Sequence, residues 1–175
     1  MSAFASQEID YVIWQNRAFS FYVGARVLYQ KKLFGPAAYS AAIAIELLLK
    51  ATLIYWDQSF IPQDIGHGMA KLERMVKNKA HSANDIVIPE YFYHEKRYLS
   101  VSRYPTSSGG LTIPATFLSD LDHIIASLIF LVPFQHNTML KSALSGKEYS
   151  ALIALRYKNS EMFQLRKFLG VNLKV

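Results

Sequence analysis

The chain contains no cysteine among its 175 residues. Disulfide bonds and thiolate metal sites are therefore excluded, and a reducing compartment such as the cytoplasm is expected. Charged residues are also few, at 18%, whereas 51% of the residues are hydrophobic. Disordered chains show the opposite balance, so we expect a folded chain whose length suits one domain over residues 1–175.

Long uninterrupted apolar runs are also missing. The longest extends from Ile124 to Phe134 and contains Pro133, which is well below the roughly 18 residues or more of a membrane span. The N-terminal sequence MSAFASQEID becomes acidic before any apolar stretch has formed, unlike a secretory signal. These two absences predict a cytoplasmic protein that does not associate with a membrane.

The sequence lacks the residue spacings of common metal and cofactor motifs. No two of its five histidines are three or four residues apart, as two metal ligands on one helix face would be. Asp120, Asp122 and His123 are close in sequence, but on a helix Asp122 is expected to point away from the other two. We therefore predict no metal site and no cofactor.

Apolar residues recur at helical spacing along most of the chain, which predicts an all-α fold. A first helix is predicted from a cap at Ser6, and Gly35-Pro36 is predicted to close it and to open the next helix. Residues 37–56 are apolar on nearly all sides, which predicts a central helix covered by its neighbours. Only residues 86–88 resemble a strand. The apolar stripe of the first helix is predicted to be Tyr11, Trp14, Ala18, Phe21, Ala25 and Leu28.

Further helices are predicted after Gly66, after Pro89, over residues 115–132 and after Ser145, with a loop over residues 103–114. The C-terminal segment, residues 141–175, holds seven basic side chains against two acidic ones, or +5 of the net charge of +6. Such an excess attracts polyanions such as nucleic acid, although a solvated face that only maintains solubility is the favoured interpretation. Its apolar faces are predicted to come from Leu152, Leu155, Phe163 and Phe168.

A polar pair interrupts the central helix. Glu46 and Lys50 are four residues apart, in the order that favours an ion pair along a helix. The pair could be an exposed salt bridge, or it could line a groove between helices, and the sequence leaves both open.

The segment RYLSVSRYPTSSGG begins at Arg97 and also contains Arg103 and Tyr104. Guanidinium groups bind phosphate oxygens bidentately, and a tyrosine can stack on a base, so these three residues are candidates for an anion site. The structural alternative is that Arg103 pairs with Glu46 while Tyr104 packs in the core.

Three stretches occur in the order and approximate spacing of the HEPN family: AAYSAAIAIELLLKATLIYW, GHGMAKLERM and the RYP that starts at Arg103. Over residues 8–135 the chain resembles the branch of that family associated with minimal nucleotidyltransferases. The resemblance implies a four- or five-helix up-and-down bundle, here with extra C-terminal helices, that is commonly a homodimer. It also implies binding of a nucleotide or RNA and a nucleotidyltransferase partner in a toxin–antitoxin pair. The residues it implies for phosphate binding are Lys50, His67, Arg103 and Tyr104. Arg97, which the chemistry of the segment adds to this set, would assist them.

The family also includes metal-independent endoribonucleases, which use an arginine, a polar residue after it, and a histidine four to six residues further on. Arg74 and His81 have this spacing, although Met75 replaces the polar residue. In such a site the histidine would move protons at the ribose 2′-hydroxyl, and the arginine would stabilise phosphate charge. A structural or interaction protein without a small-molecule ligand is the third alternative, so the sequence does not decide whether the chain is an enzyme.

Overall fold

The structure is a computed structural model of the whole chain. The residues that it describes are 3–57, 59–66, 68–93, 113–133, 139–145, 149–168 and 170. Within these ranges the chain forms seven α-helices and three short 3₁₀ turns, and no strand. The predicted all-α class is confirmed, and residues 86–88 are not a strand.

The helices follow each other with short connections where the chain is described. The α-helices are α1 (Ala3–Gln30), α2 (Phe34–Trp56), α3 (Met69–Lys79), α4 (Phe117–Ile129), α5 (Met139–Leu144), α6 (Tyr149–Arg156) and α7 (Met162–Phe168). The 3₁₀ turns are Pro62–Asp64, His81–Ala83 and Glu90–Tyr93. Ser6 lies inside α1, so the predicted helix cap at this residue is wrong.

Helices α1 and α2 form an antiparallel hairpin, which is the most extensive packing between described elements. Lys32 adopts a left-handed backbone conformation with φ 61° in the connection, and α2 then begins at Phe34. The aromatic rings of Tyr11 and Tyr55 meet at 5.3 Å at the open end of the hairpin. Pro36 lies in the first turn of α2, where a missing N–H is tolerated, so it opens this helix as predicted. Gly35 also lies within α2 and does not close α1, which ends earlier at Gln30.

Helix α2 is the centre of the bundle, as its apolar composition predicts. Residues 48–54 are buried without a break, so neighbours cover every side of the helix. Over its 23 residues α2 is also long and apolar enough to cross a membrane, with a mean hydropathy of 1.6 in its most apolar window. Glu46 and Lys50 divide the apolar sequence of α2, so this helix contains no long uninterrupted apolar run. Since 78% of that window is buried within the structure, α2 has the burial of a core helix.

Two amphipathic helices pack against α2. Helix α3 buries Met69, Leu72 and Val76, and α4 covers most of the predicted segment 115–132. The indole Nε1 of Trp56 donates a hydrogen bond of 2.8 Å to the carbonyl oxygen of Leu131. This bond joins the C-terminal end of α2 to the chain just after α4.

Two helices, α6 and α7, follow Ser145, as the sequence predicts, and α6 packs against α1. Leu152, Leu155 and Leu165 are buried, but Phe163 is 68% exposed, so its predicted place on a buried face is wrong. Helix α7 turns Leu165 and Arg166 inward instead. Most of the predicted helix after Pro89, most of the loop over 103–114 and the side chain of Phe168 lie outside the described residues.

Candidate functional site

Lys50 lies in the interior of the helical hairpin. Its ammonium group is 2.7 Å from Oε1 of Glu46, one turn earlier on α2, and 5.4 Å from the centre of the Trp14 ring. Lys50 is only 5% exposed and Glu46 only 3%. The predicted ion pair therefore forms, but the version of the prediction that placed it on the surface is wrong. A role of Lys50 in phosphate binding stays a prediction.

Arg74 and His81, the predicted catalytic pair, are both exposed, Arg74 in the middle of α3 and His81 beyond its C-terminal end. The helix ends at Lys79, and Ala80 has extended backbone angles of φ −115° and ψ 96°. His81 consequently lies in the next 3₁₀ turn and does not continue the helical register from Arg74. The structure thus brings both side chains to the solvent on one segment.

The other predicted anion-binding residues are His67, Arg97, Arg103 and Tyr104. They lie outside the described residues, so their predicted roles stay predictions. The same holds for the alternative in which Arg103 pairs with Glu46.

The three lysine and arginine side chains of α3 that precede its last residue differ in whether an acidic side chain neutralises them. Lys77 is 2.8 Å from Oε1 of Glu73, one turn earlier on the same helix. Lys71 and Arg74 are exposed and form no ion pair within the described part of the chain. The exposed face of α3 therefore carries two positive charges that no described acidic side chain neutralises.

The carboxylate nearest to Arg74 in sequence is already engaged. Glu73 pairs with Lys77 and also accepts a short hydrogen bond from the hydroxyl group of Tyr93. Burial and the Glu73 carboxylate raise the pKa of Tyr93, so this hydroxyl remains a donor over the physiological range. Glu73 is thus oriented towards Lys77 and Tyr93, which leaves the guanidinium group of Arg74 available to a ligand.

The end of α3 is attached to the end of α2. Lys79 is 3.0 Å from Oδ2 of Asp57. The hydroxyl and backbone N–H of Ser59 both donate to Oδ1 of Asp57, at 2.6 and 3.1 Å. The hydroxyl bond and then Lys79 lower the pKa of Asp57, which stays ionised and holds the basic helix in place.

A buried polar network, which the sequence analysis did not find, joins α1, α4 and the segment after α6. The guanidinium group of Arg26 contacts both carboxylate oxygens of Asp122. Tyr22 donates a hydrogen bond of 2.7 Å to Oδ1 of Asp122, and Nδ2 of Asn159 donates one of 3.1 Å to the Tyr22 hydroxyl. Arg26 also donates to the carbonyl oxygen of Ala154 at 2.9 Å.

A signal for this network was present in the sequence, because Gln15, Tyr22 and Arg26 follow Tyr11 at helical spacing. All four are buried, so the inward face of α1 is rotated from the predicted apolar stripe. Phe21, which the predicted stripe includes, is exposed. Because the inward face of α1 includes polar residues, apolar spacing alone does not identify this face.

Asp120, Asp122 and His123 contact different groups. Asp120 accepts a hydrogen bond of 2.6 Å from the Tyr91 hydroxyl, whereas Nδ1 of His123 lies 3.7 Å from Oε1 of Glu161. Asp122 points inward to Arg26, as its position on a helix predicts. Among the described residues, no three histidine, aspartate or glutamate side chains come together as metal ligands.

Comparisons with known proteins do not assign the chain to a family. No family model matches it. No curated protein and no solved structure matches it either. The function is therefore argued from the side chains described above.

Proposed function

We propose that the chain is a HEPN-like helical module that binds the phosphates of RNA or of a nucleotide on the exposed face of α3. The observation that carries this proposal is that Lys71 and Arg74 are exposed and lack a carboxylate partner in the described part of the chain. The sequence resemblance adds a nucleotidyltransferase partner and a homodimer to the proposal.

The spacing of these two cations suits phosphate binding. Residues three apart on a helix are surface neighbours, with roughly 5–6 Å between their Cβ atoms. Arg74 offers a planar fork of donors for one phosphate, and Lys71 offers a mobile point charge beside it. Beyond the helix end, the exposed His81 and Ser82 supply further hydrogen-bonding groups. Phosphate contacts of this kind carry affinity without base specificity.

The test is RNA binding by the variant K71Q/R74Q, measured by fluorescence anisotropy with a labelled single-stranded oligonucleotide. We expect about tenfold weaker binding at low salt, and a salt dependence shallower by about 0.7 for each lost phosphate contact. K31Q is the matched control, because Lys31 is exposed beside the opposite end of α2. Wild-type affinity in the double variant would reject the α3 face.

A parallel variant, R97Q/R103Q, tests the predicted anion site in the segment RYLSVSRYPTSSGG, called the Arg-Tyr segment below. If that variant alone loses binding, RNA is held by the Arg-Tyr segment and not by α3. Loss in both variants would indicate one surface that combines the two segments.

A metal-independent ribonuclease is the second candidate, since Arg74 and His81 are both accessible to RNA on one segment. It predicts cleavage of single-stranded RNA in the presence of EDTA, with loss of at least about a hundredfold in H81A because proton transfer by a side chain contributes that much. Gel analysis of the cleavage products is the measurement. Binding without cleavage in the wild type, or cleavage that persists in H81A, would eliminate this candidate.

A further inference from the structure

An open cleft lies between the end of α4 and helix α7. It has a volume of about 510 Å³ and is lined by Phe130, Phe163, Gln164 and Lys167. The rings of Phe130 and Phe163 are 48% and 68% exposed. Two large aromatic side chains that share an open concavity form the kind of apolar surface that marks binding sites.

The positive charges beside this cleft have no counter-ion among the residues that the structure describes. Lys167 is exposed and forms no ion pair within the described residues. Its neighbour Arg166 is only 8% exposed, and no carboxylate pairs with it among those residues either. Nη2 of Arg166 donates to the carbonyl oxygen of Leu144 at 3.1 Å, but its Nε has no hydrogen-bond partner in the part of the chain that the structure describes.

An unneutralised buried guanidinium group is costly, so this side of α7 favours an anion. Burial, and then repulsion from Arg156, lower the pKa of Arg166. On a helix, Arg166 lies about 60° around the axis from Phe163, next to the cleft face. An anion held by Lys167 would therefore also reduce the local positive potential at Arg166.

We propose that this cleft binds an aromatic anion, meaning a planar ring that carries a phosphate or carboxylate group. The ring packs against Phe130 and Phe163, the acid group meets the ammonium group of Lys167, and the amide of Gln164 contacts a polar edge of the ring. The volume lies within the range of roughly 300–1,000 Å³ that small-molecule sites occupy. This site does not depend on RNA binding by α3, since it shares no residue with that face.

Isothermal titration with 1-naphthyl phosphate tests the proposal, with 1-naphthol as the ring without the charge and inorganic phosphate as the charge without the ring. We expect the Kd of 1-naphthyl phosphate to be at least about tenfold lower than that of either control compound. Titration with 1-naphthoate then separates a phosphate from a carboxylate site, and binding of either acid supports the proposal. No binding of either acid would overturn it.

The variants F163A and K167Q should each raise the Kd of 1-naphthyl phosphate by about tenfold or more. Both side chains are exposed, so the variants are expected to fold, which circular dichroism would check. F21A and K31Q make the same changes at exposed positions elsewhere and should bind as the wild type does. Wild-type affinity in both F163A and K167Q, or equally tight binding of 1-naphthol, would overturn the proposal.

Discussion

The surroundings of the buried Asp122 carboxyl group shift its pKa in opposite directions. Burial favours the protonated form, whereas Arg26 and the hydrogen bond from Tyr22 favour the ionised form, and Glu161 adds a smaller upward shift. Burial is the largest of these and raises the pKa of Asp122 from 3.8 to about 6. The folded protein therefore holds this proton more tightly than the unfolded chain does.

A raised pKa makes the contribution of Asp122 to stability fall as the pH rises. The contribution is fully present below pH 3.8 and is lost as the pH passes through about 6. The difference in unfolding free energy between the wild type and D122N should fall by about 3 kcal/mol across this window. Urea unfolding at a series of pH values measures it.

The contrary outcome of this experiment is also informative. If that difference grows as the pH rises, the attraction of Arg26 outweighs the burial of Asp122. Y22F is the control, because it removes one hydrogen bond to the carboxylate but leaves the titrating group in place.

The two buried ion pairs, Glu46–Lys50 and Arg26–Asp122, differ in whether the sequence predicts them. Glu46 and Lys50 are four residues apart on one helix, so their contact follows from local geometry alone. Arg26 and Asp122 are 96 residues apart, and only the packing of α4 against α1 brings them together. The burial of both pairs is likewise a property of the folded bundle that local spacing does not contain.

Among the helices, α6 has an unusual C-terminal cap. The last carbonyl groups of a helix have no partner within the helix and carry partial negative charge. Arg26 of α1 reaches into the bundle and donates to the carbonyl oxygens of Ala154 and Tyr157 at the end of α6. One guanidinium group therefore both neutralises Asp122 and fixes the C-terminal helices against α1.

The variant R26M should release this end of α6. It leaves the buried Asp122 carboxylate without its cationic partner and the carbonyl groups of Ala154 and Tyr157 without the donor from Arg26, at a cost of about 3–5 kcal/mol. Hydrogen exchange read by mass spectrometry should show faster exchange in α6 than in the α1–α2 hairpin. R17M is the matched control, because Arg17 is exposed on the same helix. Equal acceleration in α6 and in the hairpin would show that Arg26 supports the whole bundle and not this attachment.

The sequence predicts some helices better than others, for physical reasons. Helix α2 is apolar on all sides, and α3 repeats Met69, Leu72 and Val76 on one face, so both are recognisable from periodicity. Helix α7 has seven residues, too few for a periodic pattern, and Phe163 faces solvent. The cleft beside Phe163 could not be predicted, because its two rings come from α7 and the end of α4.

At the scale of the whole molecule, both proposed anion sites belong to the same end of the central helix. Asp57, at the C-terminal end of α2, pairs with Lys79 of α3. Trp56, the residue before it, bonds to Leu131, which follows Phe130 of the cleft. The concentration of charge after residue 141 is visible in the sequence, but the approach of α3 to this end depends on the fold.

The apolar character of α2 also has a consequence for synthesis on the ribosome. Until other helices pack against α2, this nascent segment has the length and hydropathy of a membrane-spanning helix. Its first partner, α1, is translated before it and can pair with it at once, but α4 follows about 60 residues later, which takes roughly 3–12 s at ordinary elongation rates. During that interval the α1–α2 hairpin, joined by α3 once that helix is made, still exposes the side of α2 that α4 later covers.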